Sequence, residues 1–245
     1  YVVNFNLHGE HEPSTISIVD PEEMIEVNRI ETGIMPHGSR ITNDGLKQYS
    51  VAMMSGMLYE LDVLKFKISR TLFTGTKKHK HMNHSMGSMK HKEMKSHNMP
   101  SEKPTWVYPH PNDKYIYVVN NGTDDVVEID INKWAISRKF KTDKGPYNCE
   151  VSPNGKFLVI TYKSAAKTGI WDLKSGSELA RIKNTRRITH GVVISPDSKY
   201  AFVSVEGVRG EPGSVDIFDL ENLRLVEYVE VGKQAGGIAF WKMTD

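Results

Sequence analysis

Hydrophobic and polar residues alternate along most of the chain in short runs, such as "STISIVD", "YIYVVN" and "GSVDIFD". Alternation with a period of two predicts β-strands that bury one face. Turn-forming residues separate many of these runs, as in "HPNDK", "SPNGK" and "SPDSK", and tight hairpins need such residues. Helical periodicity is absent from the sequence. The pattern therefore predicts an all-β protein built from short antiparallel strands joined by hairpins.

The strands are organised in a sequence repeat. Five segments share an alternating strand that ends in Asp, then a short turn and a second strand. These aspartates are Asp20, Asp62, Asp130, Asp172 and Asp219, at successive spacings of 42, 68, 42 and 47 residues. Four short strands per repeat of this length are typical of a β-propeller blade. A β-sandwich is the alternative fold, but a sandwich does not repeat its sequence at a fixed spacing. We therefore predict a β-propeller of four-stranded antiparallel blades.

The repeat also resembles a known family. "YVVNF" with "STISIVD", "YIYVVNNGTDDVVEID" and "HGVVISPDSKYAFVS" are similar to the YVTN-type β-propeller repeat, over nearly all of the chain outside residues 75–104. The resemblance implies a single propeller domain over residues 1–245, located in the periplasm or outside the cell. Five blades are readable if residues 1–31 and 235–243 close one blade between them. Because the family is usually seven-bladed, the resemblance favours part of a seven-bladed propeller.

The longest interval contains an unusual stretch, "KHKHMNHSMGSMKHKEMKSHNM" (residues 78–99), called the His/Met stretch below. It lies in an inserted loop over residues 75–104, which its polar composition predicts to be flexible. Imidazole nitrogen suits copper, nickel or zinc, and thioether sulfur selects Cu(I). The stretch resembles the copper-binding tracts of periplasmic copper-handling proteins. Its candidate metal ligands are His79, His81, Met82, His84, Met86, Met89, His91 and His97. A solvated loop with no metal site is the alternative.

Further candidate ligands are predicted on the same face of the propeller. His37 and His190 occupy equivalent positions at the start of the innermost strand of two blades, where other blades have Thr105, Tyr147 and Gly236. His8 and His11 lie in an overlong loop between the second and third strands of a blade. All of these positions surround one mouth of the central channel, and such mouths favour ligand sites. We therefore add these four histidines to the candidate metal ligands.

A cofactor is a second possibility at this mouth. His37 and His190 are candidates to hold a metal or the iron of a non-covalent haem, with Arg40 and Arg187 for an anionic group such as a propionate or phosphate. The family resemblance permits haem, because haem d-type nitrite reductases and their maturation proteins carry related propellers. The alternative is that each imidazole bonds a neighbouring carbonyl. The chain has no C-x-x-C-H motif, which excludes covalent haem attachment here.

Composition and motifs exclude several other functions. The 32 basic residues nearly balance the 30 acidic ones, so a nucleic-acid partner is not expected. No apolar run is long enough for a transmembrane helix, and the single cysteine, Cys149, excludes a disulfide within the chain. Nucleophile-elbow, phosphate-loop and metalloprotease motifs are all absent.

The prediction from the sequence is a propeller that binds a metal ion, copper in preference, for metal handling or as a subunit of a redox assembly. Two alternatives stay open. One is an oxidoreductase or haem-type propeller that uses His37 and His190. The other is an interaction scaffold that binds a protein partner on the propeller face.

Overall fold

The structure is a computed structural model that describes residues 1–6, 11–75 and 99–244. These residues form nineteen β-strands in five antiparallel sheets and no helix, and so no helix able to cross a membrane. The first sheet contains β1 (Val2–Val3), β2 (Pro13–Asp20) and β3 (Ile25–Ile34). The second contains β4 (Pro36–Ile41), β5 (Lys47–Ala52), β6 (Met57–Asp62) and β7 (Lys67–Phe73). The third contains β8 (Pro104–Pro109), β9 (Tyr115–Asn120), β10 (Asp125–Asp130) and β11 (Ala135–Lys141). The fourth contains β12 (Pro146–Val151), β13 (Phe157–Tyr162), β14 (Lys167–Asp172) and β15 (Ser177–Lys183). The fifth contains β16 (Ile188–Ile194), β17 (Tyr200–Glu206), β18 (Gly213–Asp219) and β19 (Arg224–Val231).

Each four-stranded sheet follows chain order from its first strand to its fourth. The first strands of neighbouring sheets pack against one another, β4 on β8, β8 on β12 and β12 on β16. First strands therefore lie side by side at the centre, and fourth strands lie at the outer edge. This repeated arrangement confirms the all-β propeller that the sequence predicts.

The repeated aspartates end the third strand of each sheet and organise the turn that follows. Their carboxylate oxygens accept backbone N–H groups two or three residues later, as Asp62 does from Leu64 and Lys65 at 3.1 Å. Four residues after each aspartate, the backbone enters the left-handed region, with φ of 55°, 49°, 49°, 73° and 54° at Met24, Phe66, Trp134, Gly176 and Leu223. Only one of these five residues is a glycine, so the aspartate and the ladder bonds hold a conformation that the other side chains disfavour.

Two buried ion pairs join neighbouring blades. Glu128 is 2% exposed, accepts from Tyr117 and Ser137, and pairs with Arg138. Arg138 also donates to the Leu173 carbonyl of the next sheet at 2.9 Å. The second sheet repeats this network around Glu60, with Tyr49, Ser69 and Arg70. A buried carboxylate needs such partners, and these networks fix the angle between sheets.

The apolar core lies between the sheets rather than inside any one of them. The largest cluster combines side chains from the third and fourth sheets, including Val126, Phe140, Ile160 and Trp171. Cys149 belongs to this cluster and is fully buried, and burial raises the pKa of its thiol far above the ordinary value.

The C-terminal segment differs from its prediction. Residues 232–244 form no strand, and the first sheet has three strands among the described residues. The segment instead packs on the fifth sheet, where Ser204 donates to the Gly236 carbonyl and Phe240 contacts Phe202 with ring centroids 6.1 Å apart. The first sheet pairs β1 with β2 over only two residues, and the C-terminal segment does not complete it.

Candidate functional site

Equivalent turns between the first and second strands show which residues of different sheets lie at the same height along the channel. The turn between the first and second strands closes with the same pair of backbone bonds at Thr42, His110, Ser152 and Ser195. Five residues before these positions are His37, Thr105, Tyr147 and His190, called the histidine layer below. Two residues before them are Arg40, Tyr108, Glu150 and Val193, called the arginine layer below. Each layer takes one residue from four successive sheets, so its members converge on the channel.

The His37 ring is held so that Nδ1 contacts a backbone carbonyl and Nε2 faces the Tyr147 hydroxyl. Its Nδ1 lies 2.6 Å from the Thr105 carbonyl oxygen. A proton on Nδ1 makes this contact a hydrogen bond and leaves the lone pair on Nε2, although the Gly38 N–H also lies 3.0 Å from Nδ1. Tyr147 donates its hydroxyl to that Nε2 at 3.1 Å. Metal-binding histidines commonly show the same arrangement, with one nitrogen bonded to a carbonyl and the other available as a ligand.

Tyr147 brings the two predicted histidines into one cluster. Its ring centroid is 5.4 Å from that of His37 and 4.6 Å from that of His190. Backbone bonds hold all three residues in place, since hydroxyls of Ser50, Thr105 and Thr161 donate to the carbonyls of His37, Tyr147 and His190 respectively. The two histidines come from sheets that are not adjacent, and the fold nevertheless places both of them against one aromatic ring.

Two charged side chains complete the cluster. Lys163, directly after β13, places its ammonium 4.1 Å from the centroid of the Tyr147 ring. Glu206, the last residue of β17, places Oε1 3.6 Å from Nε2 of His190. Within residues 1–6, 11–75 and 99–244, no three His, Cys, Asp or Glu side chains are grouped closely enough to hold a metal ion.

Burial and charge keep both imidazoles neutral. Burial lowers the pKa of His190 to about 4, with further lowering by Lys163 and His37. The pKa of His37 is also lowered, first by burial and then by Lys163, although its bond to Thr105 opposes this. Burial lowers the pKa of Lys163, which Glu206 opposes. Neutral imidazole is the form that binds a metal.

Aromatic rings pack around the cluster of His37, Tyr147 and His190. Phe5 meets His37 edge to face at a centroid distance of 5.0 Å, and Trp106 does so at 6.0 Å. Phe5 lies between β1 and the predicted long loop of the first sheet, and it brings this part of the chain to His37. His11, on the other side of that loop, is exposed.

The two predicted arginines lie apart from each other. Arg187 is exposed, on the link before β16. Arg40 is half-buried in the arginine layer, with its guanidinium carbon 4.8 Å from the Trp106 ring centroid and 5.6 Å from that of Tyr108. Arg40 and Tyr108 line a cavity whose other walls come from the hairpin turns at the far end of the first strands. Arg40 therefore faces the end of the channel opposite the histidines.

Most of the predicted metal ligands lie outside the described residues. These are His8 and, in the His/Met stretch, His79, His81, Met82, His84, Met86, Met89, His91 and His97. The ends of the segment that contains the stretch are described, and they converge. A Cβ on Gly75 would collide with the Glu102 side chain, and one on Gly56 would lie 2.8 Å from both Phe73 and Pro100. The insertion therefore leaves and re-enters the propeller at one place, two residues before β8.

Sequence reasoning missed three members of the cluster. Tyr147 was recognised as equivalent to the histidines but was given no role, and Lys163 and Glu206 were not considered. Glu206 ends the second strand of its sheet, and Lys163 directly follows the second strand of its own sheet. That position lies beside the start of the first strand in an antiparallel hairpin, and this register was the available signal.

The comparisons with known proteins concern the fold. No family model and no curated protein matches the chain, so the YVTN-type family stays a prediction. A solved structure of hydrazine synthase from Kuenenia stuttgartiensis matches 80% of this chain with a TM-score of 0.66 and 18% identity. A functionally unknown protein from Desulfotomaculum acetoxidans matches 85% with a TM-score of 0.63 and 16% identity. The chain spans 49% and 60% of those two chains. At these identities the likeness shows a shared propeller-like fold.

Proposed function

We propose that this chain is a metal-handling propeller that binds a transition metal, copper in preference, through the histidine layer and the His/Met stretch. The observation that carries the proposal is the packing of His37 and His190 against the same Tyr147 ring, with the pKa of both imidazoles lowered. Two neutral imidazoles held by backbone bonds are oriented as ligands, and an ion at Nε2 of His37 would replace the hydrogen bond from the Tyr147 hydroxyl.

The remaining ligands come from side chains that the sequence places at the same face. The described cluster offers two imidazoles, the Tyr147 hydroxyl and the Glu206 carboxylate near His190. The His/Met stretch supplies thioethers, which favour Cu(I) over harder ions. Its segment re-enters the chain just before Thr105, whose carbonyl orients His37. This proximity supports delivery of the ion between the stretch and the histidine layer, in a periplasmic or extracellular setting.

A haem fits this arrangement less well than an ion does. Tyr147 packs against both imidazoles and occupies the free nitrogen of His37, so a porphyrin would have to displace it. Arg40 and Arg187, the candidate partners for propionates, do not lie at one site. We therefore propose that copper, rather than haem, is the group through which the protein takes part in a redox assembly.

The test is copper and zinc uptake by the untagged full chain. We expect stoichiometric copper binding that is weakened at least tenfold in the double variant His37→Ala/His190→Ala and in a chain without residues 76–98. His110→Ala is the matched control, because His110 lies in a hairpin turn at the opposite end of the channel, and it should bind copper like the parent. No uptake by the parent, or uptake that none of these changes alters, would overturn the proposal.

A further inference from the structure

The arginine layer contains a cation with no carboxylate partner. Arg70 and Arg138 each form a close ion pair with a buried glutamate. Arg40 forms no ion pair with any described residue, and its one hydrogen bond goes from Nη1 to the Ser39 carbonyl at 2.9 Å. Among the described residues, nothing accepts a hydrogen bond from its Nε or Nη2 group. Stacking on Trp106 and Tyr108 holds the guanidinium in place, so the unused donors have a fixed direction.

Arg40 lines a cavity of about 170 Å³. Tyr108 lines the same cavity, and its hydroxyl has no hydrogen-bond partner among the described residues. Of the described residues that line it, Asp113 is the only acidic one. His110 also lines it, but both of its ring nitrogens already have backbone partners, Gly155 and Asn112. The cavity therefore presents a guanidinium fork and a phenol to whatever enters it.

Behind this cavity lies a buried carboxyl group. Glu150 is 8% exposed and accepts one bond, from the Ile194 N–H at 2.9 Å. Burial raises its pKa to about 7, although Ile194 and Arg40 oppose this. A carboxyl whose pKa lies near neutral pH offsets the charge of Arg40 only in part, and the rest of that charge is left for a ligand.

We propose that the cavity lined by Arg40 and Tyr108 binds the oxoanion group of a small ligand, a carboxylate or a phosphate. Arg40 supplies the forked pair of N–H donors that fits two oxygens of such a group, and Tyr108 donates a further hydrogen bond. Glu150 is a positioning residue that adjusts the charge on the site without lining the cavity. The residues that line this cavity are distinct from His37, Tyr147 and His190, although Trp106 contacts both Arg40 and His37.

The test is a titration of the full chain with acetate and with inorganic phosphate at constant ionic strength, with chloride as the reference anion. Amide and arginine side-chain NMR signals report binding. We expect saturable shifts at Arg40 and Tyr108 with at least one of the two probes, and the stronger probe identifies the shape of the group. Arg40→Met should abolish the saturation, and Arg40→Lys should weaken it about tenfold, because lysine keeps the charge and loses the fork.

A third variant keeps the proposal testable if substitutions of Arg40 prevent folding. Glu150→Gln removes a negative charge near Arg40 and keeps the size of the side chain, so it should tighten binding of the same probe several-fold at pH 8. Shifts that do not saturate, that persist in Arg40→Met, or that are unchanged in Glu150→Gln would overturn the proposal.

Discussion

The two layers of the channel lie on the same first strands and carry side chains of different chemistry, neutral imidazoles in one and a guanidinium cation in the other. The histidine layer and the arginine layer lie three residues apart on the same first strands. At the histidine layer, backbone bonds and Tyr147 leave two imidazoles as neutral donors of electron pairs. At the arginine layer, Arg40 stacks on aromatic rings and forms no ion pair with any described residue. The two proposals together give one propeller that binds a metal ion at one mouth and an anion at the other.

Burial acts on both layers in the same direction, toward the neutral form of each titrating group. It lowers the pKa of His190 to about 4 and raises the pKa of Glu150 to about 7. The difference between the layers lies in the side chain that stays charged, since guanidinium remains protonated even when partly buried. The chemistry of each mouth thus follows from a few side chains in each layer rather than from the fold.

The largest expected effect comes from a substitution that destabilises the scaffold shared by both layers. Glu128→Ala breaks the buried network of Tyr117, Ser137 and Arg138. Removing one partner of a buried pair costs about 3–5 kcal/mol, so we expect a loss of that order in the free energy of unfolding, measured by chemical denaturation. Glu221→Ala, an exposed change in a turn, is the control. A loss as small as that of the control would show that the network does not hold the blades.

The next prediction uses the pH dependence of stability to distinguish the contribution of the histidine layer from that of the arginine layer. The pKa of His190 is lower in the folded protein than the ordinary value of 6.5. Unfolded chains therefore bind more protons below pH 6.5, and this contribution to stability is lost as the pH falls through about 4. Glu150 has the opposite sign, because its pKa is raised from 4.5 to about 7. Its contribution is present below pH 4.5 and is lost as the pH rises through about 7.

Denaturation across this pH range, with His190→Gln and Glu150→Gln, measures the two contributions separately. The histidine variant should flatten the stability profile between pH 4 and 6.5, and the glutamate variant should flatten it between pH 4.5 and 7. Profiles that match the parent protein would show that neither group is shifted by burial.

A smaller change sharpens the electrostatics of the histidine layer. Lys163→Met removes the ammonium beside Tyr147, which repels a bound cation. A repulsion of about 1.4 kcal/mol is within the range for such neighbours and corresponds to about tenfold in affinity. We therefore expect tighter copper binding and a higher pKa of His190 by NMR titration. The exposed change Lys199→Met serves as the control, and equal copper affinities in both variants would contradict this role of Lys163.

The smallest effect concerns the hydroxyl between the histidines. Tyr147→Phe keeps the aromatic contacts with His37 and His190 and removes one hydrogen bond to Nε2 of His37. Such a bond contributes about 1 kcal/mol, so we expect a loss of that order in stability. If the hydroxyl is also a ligand, copper affinity falls with it. Copper affinity that rises in this variant would show that the hydroxyl competes with the metal for His37.

The sequence predicted the repeat, the turns and the register of the first strands, because alternation and turn residues are local signals. It also placed His37 and His190 at equivalent positions. It did not separate Arg40 from Arg187, since three residues along a strand decide which end of the channel a side chain faces. The left-handed residues of the outer turns gave no signal either, because Met24, Phe66, Trp134 and Leu223 occupy positions where glycine would be expected. The role of Tyr147 could not be predicted, because its contacts with His37 and His190 depend on how three sheets pack together.

The central claim is that the two mouths of one channel bind opposite charges. The most direct measurement is anomalous diffraction at the copper and selenium edges from one crystal of the full chain soaked with copper and selenate. We predict a copper peak at the cluster of His37, Tyr147 and His190 and a selenium peak beside Arg40 and Tyr108. Copper found only away from both histidines, or selenate found only away from Arg40, would contradict the account.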